Sequence, residues 1–202
     1  MTKVNTTLRG ILGRRDSVLP LSLSGNRCLT GTLFVLMVFY HKYIIMSNTT
    51  NQKLVRSTPE AVYQAFTHPH ALETWLAPGE MAGKIHRFDL RAGGGYEMSL
   101  YYPSTDKTSK GKSASNEDRF IARFLELSPP AKIVQAIKFN TEGSAFSGEM
   151  IMESSFKAMD GGTMVTITFE NIPAGIKPAD NEKGTALSLE KLARYVEIKP
   201  GR

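Results

Sequence analysis

The chain holds one cysteine, Cys28, in 202 residues, which excludes an internal disulfide framework and a cysteine-based zinc site. Its four histidines, His41, His68, His70 and His86, form no spaced ligand set, so no metal site or cofactor is expected. Gly-x-Ser-x-Gly is missing, which removes the strained serine elbow of one hydrolase class. Long apolar runs are missing too. The longest candidate, Leu33 to Tyr40, is interrupted by His41-Lys42, whereas a membrane-spanning helix needs about 20 apolar residues. A basic body is the last absence. Residues 1 to 46 carry six basic side chains against Asp16 alone, while the remainder carries 19 basic and 18 acidic ones. The pI of 9.4 therefore belongs to the leader, and no nucleic-acid partner is expected of the rest.

What is present begins with that leader, rich in Ser, Thr, Gly and Leu. Three readings stand. One is that translation starts at Met46, since MSNTTNQKLVRSTPEAV reads as the opening of a small cytosolic domain, which implies a cytoplasmic protein. Alternatively the leader is a secretory or organelle-targeting peptide, or a membrane anchor, and contact with a membrane is expected only if it is retained.

From residue 50 to about 198 the pattern is that of one α+β domain with 41% hydrophobic and 22% charged residues overall. Lys53 to Ser57 reads as a strand. Ser57 or Thr58 before Pro59-Glu60 starts a helix, with Ala61, Val62, Ala65 and Phe66 on its inner face. Pro69 opens a second short helix whose inner face is Leu72, Trp75 and Leu76. A meander follows: Ala82 to Leu90, Tyr96 to Tyr102, Arg119 to Leu127, Lys132 to Phe139, Gly148 to Ala158 and Thr163 to Glu170. Gly93, Gly94 and Gly95 are expected to supply positive φ angles and a bulge that curls the sheet. Ser128-Pro129-Pro130 and Asp160-Gly161-Gly162 read as tight reversals. In the second meander strand Tyr96, Met98, Leu100 and Tyr102 share one face, and Glu97, Ser99 and Tyr101 the wet one. The last helix, about 17 residues and roughly 25 Å long with Asp180 as its cap, presents Leu189, Leu192, Ala193 and Val196 as an apolar stripe. The polar stretch Pro103 to Glu117 is a solvated loop, a flap over a cavity mouth, or a charged contact to a partner.

The order strand, two helices, six-strand meander and long helix resembles the helix-grip fold of the SRPBCC (START and birch-pollen-allergen-like) superfamily. Within it the chain is similar to the branch related to the C-terminal domain of the activator of the heat-shock-protein-90 ATPase. The resemblance rests on Thr58-Pro59-Glu60-Ala61-Val62-Tyr63-Gln64-Ala65-Phe66-Thr67, Trp75-Leu76-Ala77-Pro78, Phe88-Asp89-Leu90-Arg91 with Gly93-Gly94, Phe124-Leu125-Glu126-Leu127 before Pro129-Pro130, Gly161-Gly162-Thr163, and Gly184 with Leu189-Glu190-Lys191-Leu192-Ala193. It implies a curved antiparallel sheet of six to seven strands wrapped around the last helix, an elongated apolar cavity between them, and a role connected with stress response.

Function is then expected to be the non-catalytic binding of a small hydrophobic ligand. The lining expected is Trp75, His86, Phe88, Tyr96, Met98, Leu100, Tyr102, Phe120, Phe124, Met150 and Met152, closed by Leu189 and Leu192. Methionines suit an adaptable wall. One alternative is an interaction module that touches a chaperone or other protein through the outer sheet face and the Pro103 to Glu117 loop. Another is a cavity enzyme, a cyclase or hydrolase acting on a polyketide-like substrate, with His86 on the same strand face as Phe88 and Leu90 and partnered by Tyr96 or Tyr102.

Overall fold

Local signals set the elements before packing does. Thr58 is extended at φ −79° and ψ 155°, and its hydroxyl accepts from the Ala61 amide at 3.3 Å, so helix α1 (Pro59–Thr67) starts at a capped residue with proline in its first turn. His68, also extended, separates it from α2 (Pro69–Trp75). In the computed structural model the described residues are 47–106 and 111–197, all within the unit Ile45–Arg202. The basic leader, its apolar run and Cys28 lie outside them, as do residues 107–110 of the long polar loop.

The strands are β1 (Thr49–Val55), β2 (Ala82–Asp89), β3 (Gly95–Tyr101), β4 (Glu117–Ser128), β5 (Lys132–Phe139), β6 (Met150–Met159) and β7 (Gly162–Glu170). They form one antiparallel sheet in the order β1-β7-β6-β5-β4-β3-β2. The meander runs unbroken from β2 to β7, and β1 adds beside β7 with Thr49 opposite Phe169. Alternation decides which face is dry: Thr163, Val165, Ile167 and Phe169 of β7 are buried while their neighbours are not. Helix α3 (Pro178–Glu197) lies against that dry face, burying Thr185, Ser188, Leu189, Leu192 and Ala193. At one end of the core Trp75 and Phe66 stand 4.4 Å apart between ring centres, and the buried indole donates to the Ala65 carbonyl at 2.8 Å.

Helices reach both sheet edges. Along β1, Lys53 Nζ reaches Glu190 of α3 at 2.7 Å and Asn51 Nδ2 donates to the Glu182 carbonyl at 3.2 Å. On β2 the outward amide of Ile85 donates to Glu73 of α2 at 2.7 Å. Open strand edges invite pairing with other chains; β1 is tied to α3 by side chains, and one amide of the β2 edge is taken by Glu73. Among the described residues no helix is long and apolar enough to cross a membrane.

Four expectations are corrected. The last helix has 20 residues and begins at Pro178, so Asp180 sits in its first turn rather than capping it. Its carboxylate still faces the positive end of the helix dipole, which is why the residue looked like a start signal. Of the three glycines between β2 and β3 only Gly93 has positive φ, at 80°. Gly95 is required for a different reason: a Cβ there would lie 2.0 Å from the Ala122 carbonyl oxygen of β4. The register shifts that bend the sheet fall instead between Ile85 and Arg87 and between Phe124 and Glu126. The first of them turns His86 away from the Phe88 face. Ser99, assigned to the wet face, is fully buried there, because His86 and Glu117 close over its hydroxyl.

Candidate functional site

The two halves of α3 meet the sheet differently. In its second half Leu189, Leu192 and Ala193 are buried in the core, and the helix packs against β1 and the two short helices. Toward its start the helix lines a hollow with the small residues Asn181, Gly184, Thr185 and Ser188, with Asp180, Lys183 and Leu187 beside them. A cavity of about 590 Å³ remains beneath them, open to solvent on one side. Its floor is the dry face of the sheet, with Tyr96, Phe120, Ile137, Met150, Met152 and Ile167 among its residues. One wall is the segment Leu76–Met81 that follows α2, and the opposite wall comes from both ends of the long polar loop, through Tyr102, Pro103, Asp106 and Lys112.

The wall at Leu76–Met81 is tied to the roof. Ser188 Oγ donates to the Leu76 carbonyl at 2.7 Å, and Lys191 Nζ donates to the carbonyls of Ala77 and Met81 at 2.7 and 3.3 Å. Burial pushes the Lys191 ammonium below the ordinary lysine range. Gly79 adopts φ 52°, a conformation favouring glycine, where the segment turns beneath Leu187.

At the loop end lies a strongly polar group of side chains, and Glu80, Asp180 and Lys183 add charge along the other walls. Asp118 is almost fully buried. Its Oδ1 accepts the Lys112 amide at 2.5 Å, and its Oδ2 accepts the Tyr102 hydroxyl at 3.1 Å and also the Lys112 ammonium. That ammonium also sits 5.3 Å from the centre of the Phe139 ring. Burial raises the Tyr102 phenol well above its usual range, and the neighbouring Asp118 charge raises it further, so the hydroxyl remains a donor. Tyr96 is likewise raised by burial, its hydroxyl donating to Gln135 Oε1 at 3.4 Å.

Of the thirteen side chains expected to line a cavity, the structure brings seven together: Trp75, Tyr96, Leu100, Tyr102, Phe120, Met150 and Met152. Met98, Phe124, Leu189 and Leu192 are buried in the packed core instead. Phe88 packs near Tyr96, ring centres 6.2 Å apart, and lines a separate hollow beside the glycine turn. His86 stands outside the cavity. The bulge directs it to the outer face, where its Nε2 meets Ser99 Oγ at 2.8 Å and the residue is exposed.

Sequence reasoning missed Lys112, Asp118 and the small-residue roof. The signal for Asp118 was available: it precedes Phe120, Ala122 and Phe124 in the alternation of β4, and starting that strand at Arg119 left it between the loop and the strand. For the roof the signal is Gly184, Thr185 and Ser188 interrupting the apolar stripe ahead of Leu189.

The family model described as Activator of Hsp90 ATPase homolog 1-like protein matches residues 56–197. Among solved structures, protein CV1439 from Chromobacterium violaceum is 29% identical, covering 76% of this chain and 99% of that one with a TM-score of 0.68. An AHSA1-like protein from Aeromonas hydrophila is 20% identical, covering 74% and 92% with a TM-score of 0.56. Protein Ms6760 from Mycobacterium smegmatis is 15% identical, covering 77% and 93% with a TM-score of 0.58. The latter two show a shared fold. No curated protein matches the chain significantly.

Proposed function

Since this chain belongs to the Activator of Hsp90 ATPase homolog 1-like family, we propose that it is a non-catalytic binding protein for a small hydrophobic ligand. The observation that carries this reading is the open cavity of about 590 Å³ under the first half of α3, a size and lining that suit a small organic molecule. A guest burying about 200 Å² of apolar surface would gain roughly 5 kcal/mol at 25 cal/mol per Å², before the costs of association. The cavity-enzyme alternative loses its proton-transfer candidate, because His86 lies on the other face of the sheet. A protein-interaction role is favoured by a different observation, the exposure of Ile121 and Leu125 on β4 at 49% and 40%.

Thermal unfolding against a panel of apolar compounds tests the proposal. A ligand at one hundred times its Kd stabilises by about 2.7 kcal/mol, which for a domain of this size raises Tm by about 5–10 °C. Thr185→Phe, which places a ring in the cavity, should abolish that shift while the unliganded protein still unfolds cooperatively. A panel without any saturable shift, together with stimulation of a chaperone ATPase by the unliganded protein, would replace this reading with the interaction module.

A further inference from the structure

Resting on the ligand-binding reading above, we infer that the cavity selects an apolar molecule carrying one uncharged hydrogen-bond acceptor, a carbonyl above all, and that Lys112 holds it. The buried polar side chains of the lining are Tyr96, Asp118, Thr185 and Ser188. Each already has a partner in the chain. Tyr96 donates to Gln135, Thr185 to the Asn181 carbonyl at 2.8 Å, and Ser188 to the Leu76 carbonyl. Asp118 accepts three hydrogen bonds, two of them from Lys112. At the loop end the donor capacity left over among the described residues belongs to the Lys112 ammonium, while Asn181 and Lys183 on α3 line the cavity away from that pair. Its side chain is 22% exposed, and of its three N–H groups one meets Asp118 while the Phe139 ring lies nearby. A guest that displaces water from this end must offer an acceptor to that ammonium or leave its N–H groups without partners in a drying site.

Charge then chooses among acceptors. Lys112 and Asp118 already neutralise one another, so a carboxylate headgroup would bring a second negative charge beside a carboxylate that is 4% exposed. A ketone, ester or amide oxygen accepts from the ammonium and leaves the pair neutral.

Isothermal titration of the full chain with decane, methyl octyl ketone and decanoate separates the cases. The ketone is expected to bind about tenfold more tightly than decane, the worth of one hydrogen bond to a charged group, and more tightly than decanoate. Lys112→Met should erase the ketone's advantage over decane without loss of decane binding. Asp118→Asn should reverse the order of ketone and decanoate, because the ammonium then lacks its counter-charge. Should Lys112→Met fail to fold, the double variant K112M/D118N, with no buried charge left single, carries the same comparison. Equal affinity of ketone and decane, or a ketone preference that survives removal of the ammonium, would overturn the assignment. If none of the three probes binds, it is the ligand-binding reading itself that fails.

Discussion

Gly184→Ala is expected to stabilise the protein and leave its cavity usable. Gly184 lies in the interior of α3, seven residues into a helix of 20, and roofs the cavity. Its φ is not in the left-handed region, so an L side chain meets no backbone strain, and an added Cβ would contact only Pro78 Cγ at 3.7 Å. Glycine costs about 0.8–1 kcal/mol relative to alanine in a helix interior, mostly through the freedom it has in the unfolded chain. A methyl that is half buried adds up to about 0.4 kcal/mol. The sum, about 1–1.5 kcal/mol, corresponds to a rise in Tm of about 2–6 °C for a domain of this length. Gly95→Ala supplies the opposite sign in the same assay, because its Cβ would fall 2.0 Å from a carbonyl oxygen of the adjoining strand and the pairing must open. Circular-dichroism melts with urea titrations would measure both. A lower midpoint for Gly184→Ala at unchanged m would refute the description of this turn of α3 as ordinary helix with free space above Pro78.

Three further outcomes follow from particular contacts. Leu192→Ala removes a fully buried side chain from the packed half of α3 and should cost about 2–5 kcal/mol in urea, with m unchanged. His86→Ala should alter neither the ligand-induced shift in Tm nor, by more than about 1 kcal/mol, the stability, since it removes a contact to Ser99 whose hydroxyl keeps Glu117. The hydrogen bond from Arg119, then charge attraction to it and to Arg87, hold the Glu97 carboxyl below its ordinary 4.5, so the unfolded chain takes up the proton first on acidification. Its contribution is complete above that pH and is lost as pH falls through the lower folded value. The difference in stability between the protein and Glu97→Gln should therefore close on acidification, and a gap that stays constant to low pH would contradict it.

The alternation of single strands was legible because it is a local property. Tyr96, Met98 and Leu100 could be assigned to one face without knowing their neighbours, and capping at Thr58 needed only the residues that follow it. What could not be read were consequences of pairing. A bulge opposite Met98 and Glu97 reverses His86, and nothing in the dipeptides around His86 encodes that partner strand. Gly95 looked like a turn residue, yet its constraint is a carbonyl of Ala122, 27 positions later in the sequence. The cavity was placed too far along the helix for a similar reason. An apolar stripe on α3 announces burial, and Leu189 and Leu192 are indeed buried, but full burial against a packed core leaves no space beside them.

That division of α3 has a thermodynamic consequence. The second half supplies stability through Leu189, Leu192 and Ala193, so the first half is free to carry small and polar residues over an unfilled space without unfolding the domain. A roof of that kind would be loose if it stood alone. It is held instead by side chains from the boundary between the halves, Ser188 and Lys191, which donate to three carbonyls of the segment after α2. Those hydrogen bonds cost Lys191 part of its hydration, as its lowered pKa records, and satisfy backbone oxygens that close packing would otherwise leave without donors. The hollow and the packed core are therefore coupled through one helix yet separable by substitution: changes at Leu192 should move the unliganded Tm, and changes at Thr185 should move the response to ligand.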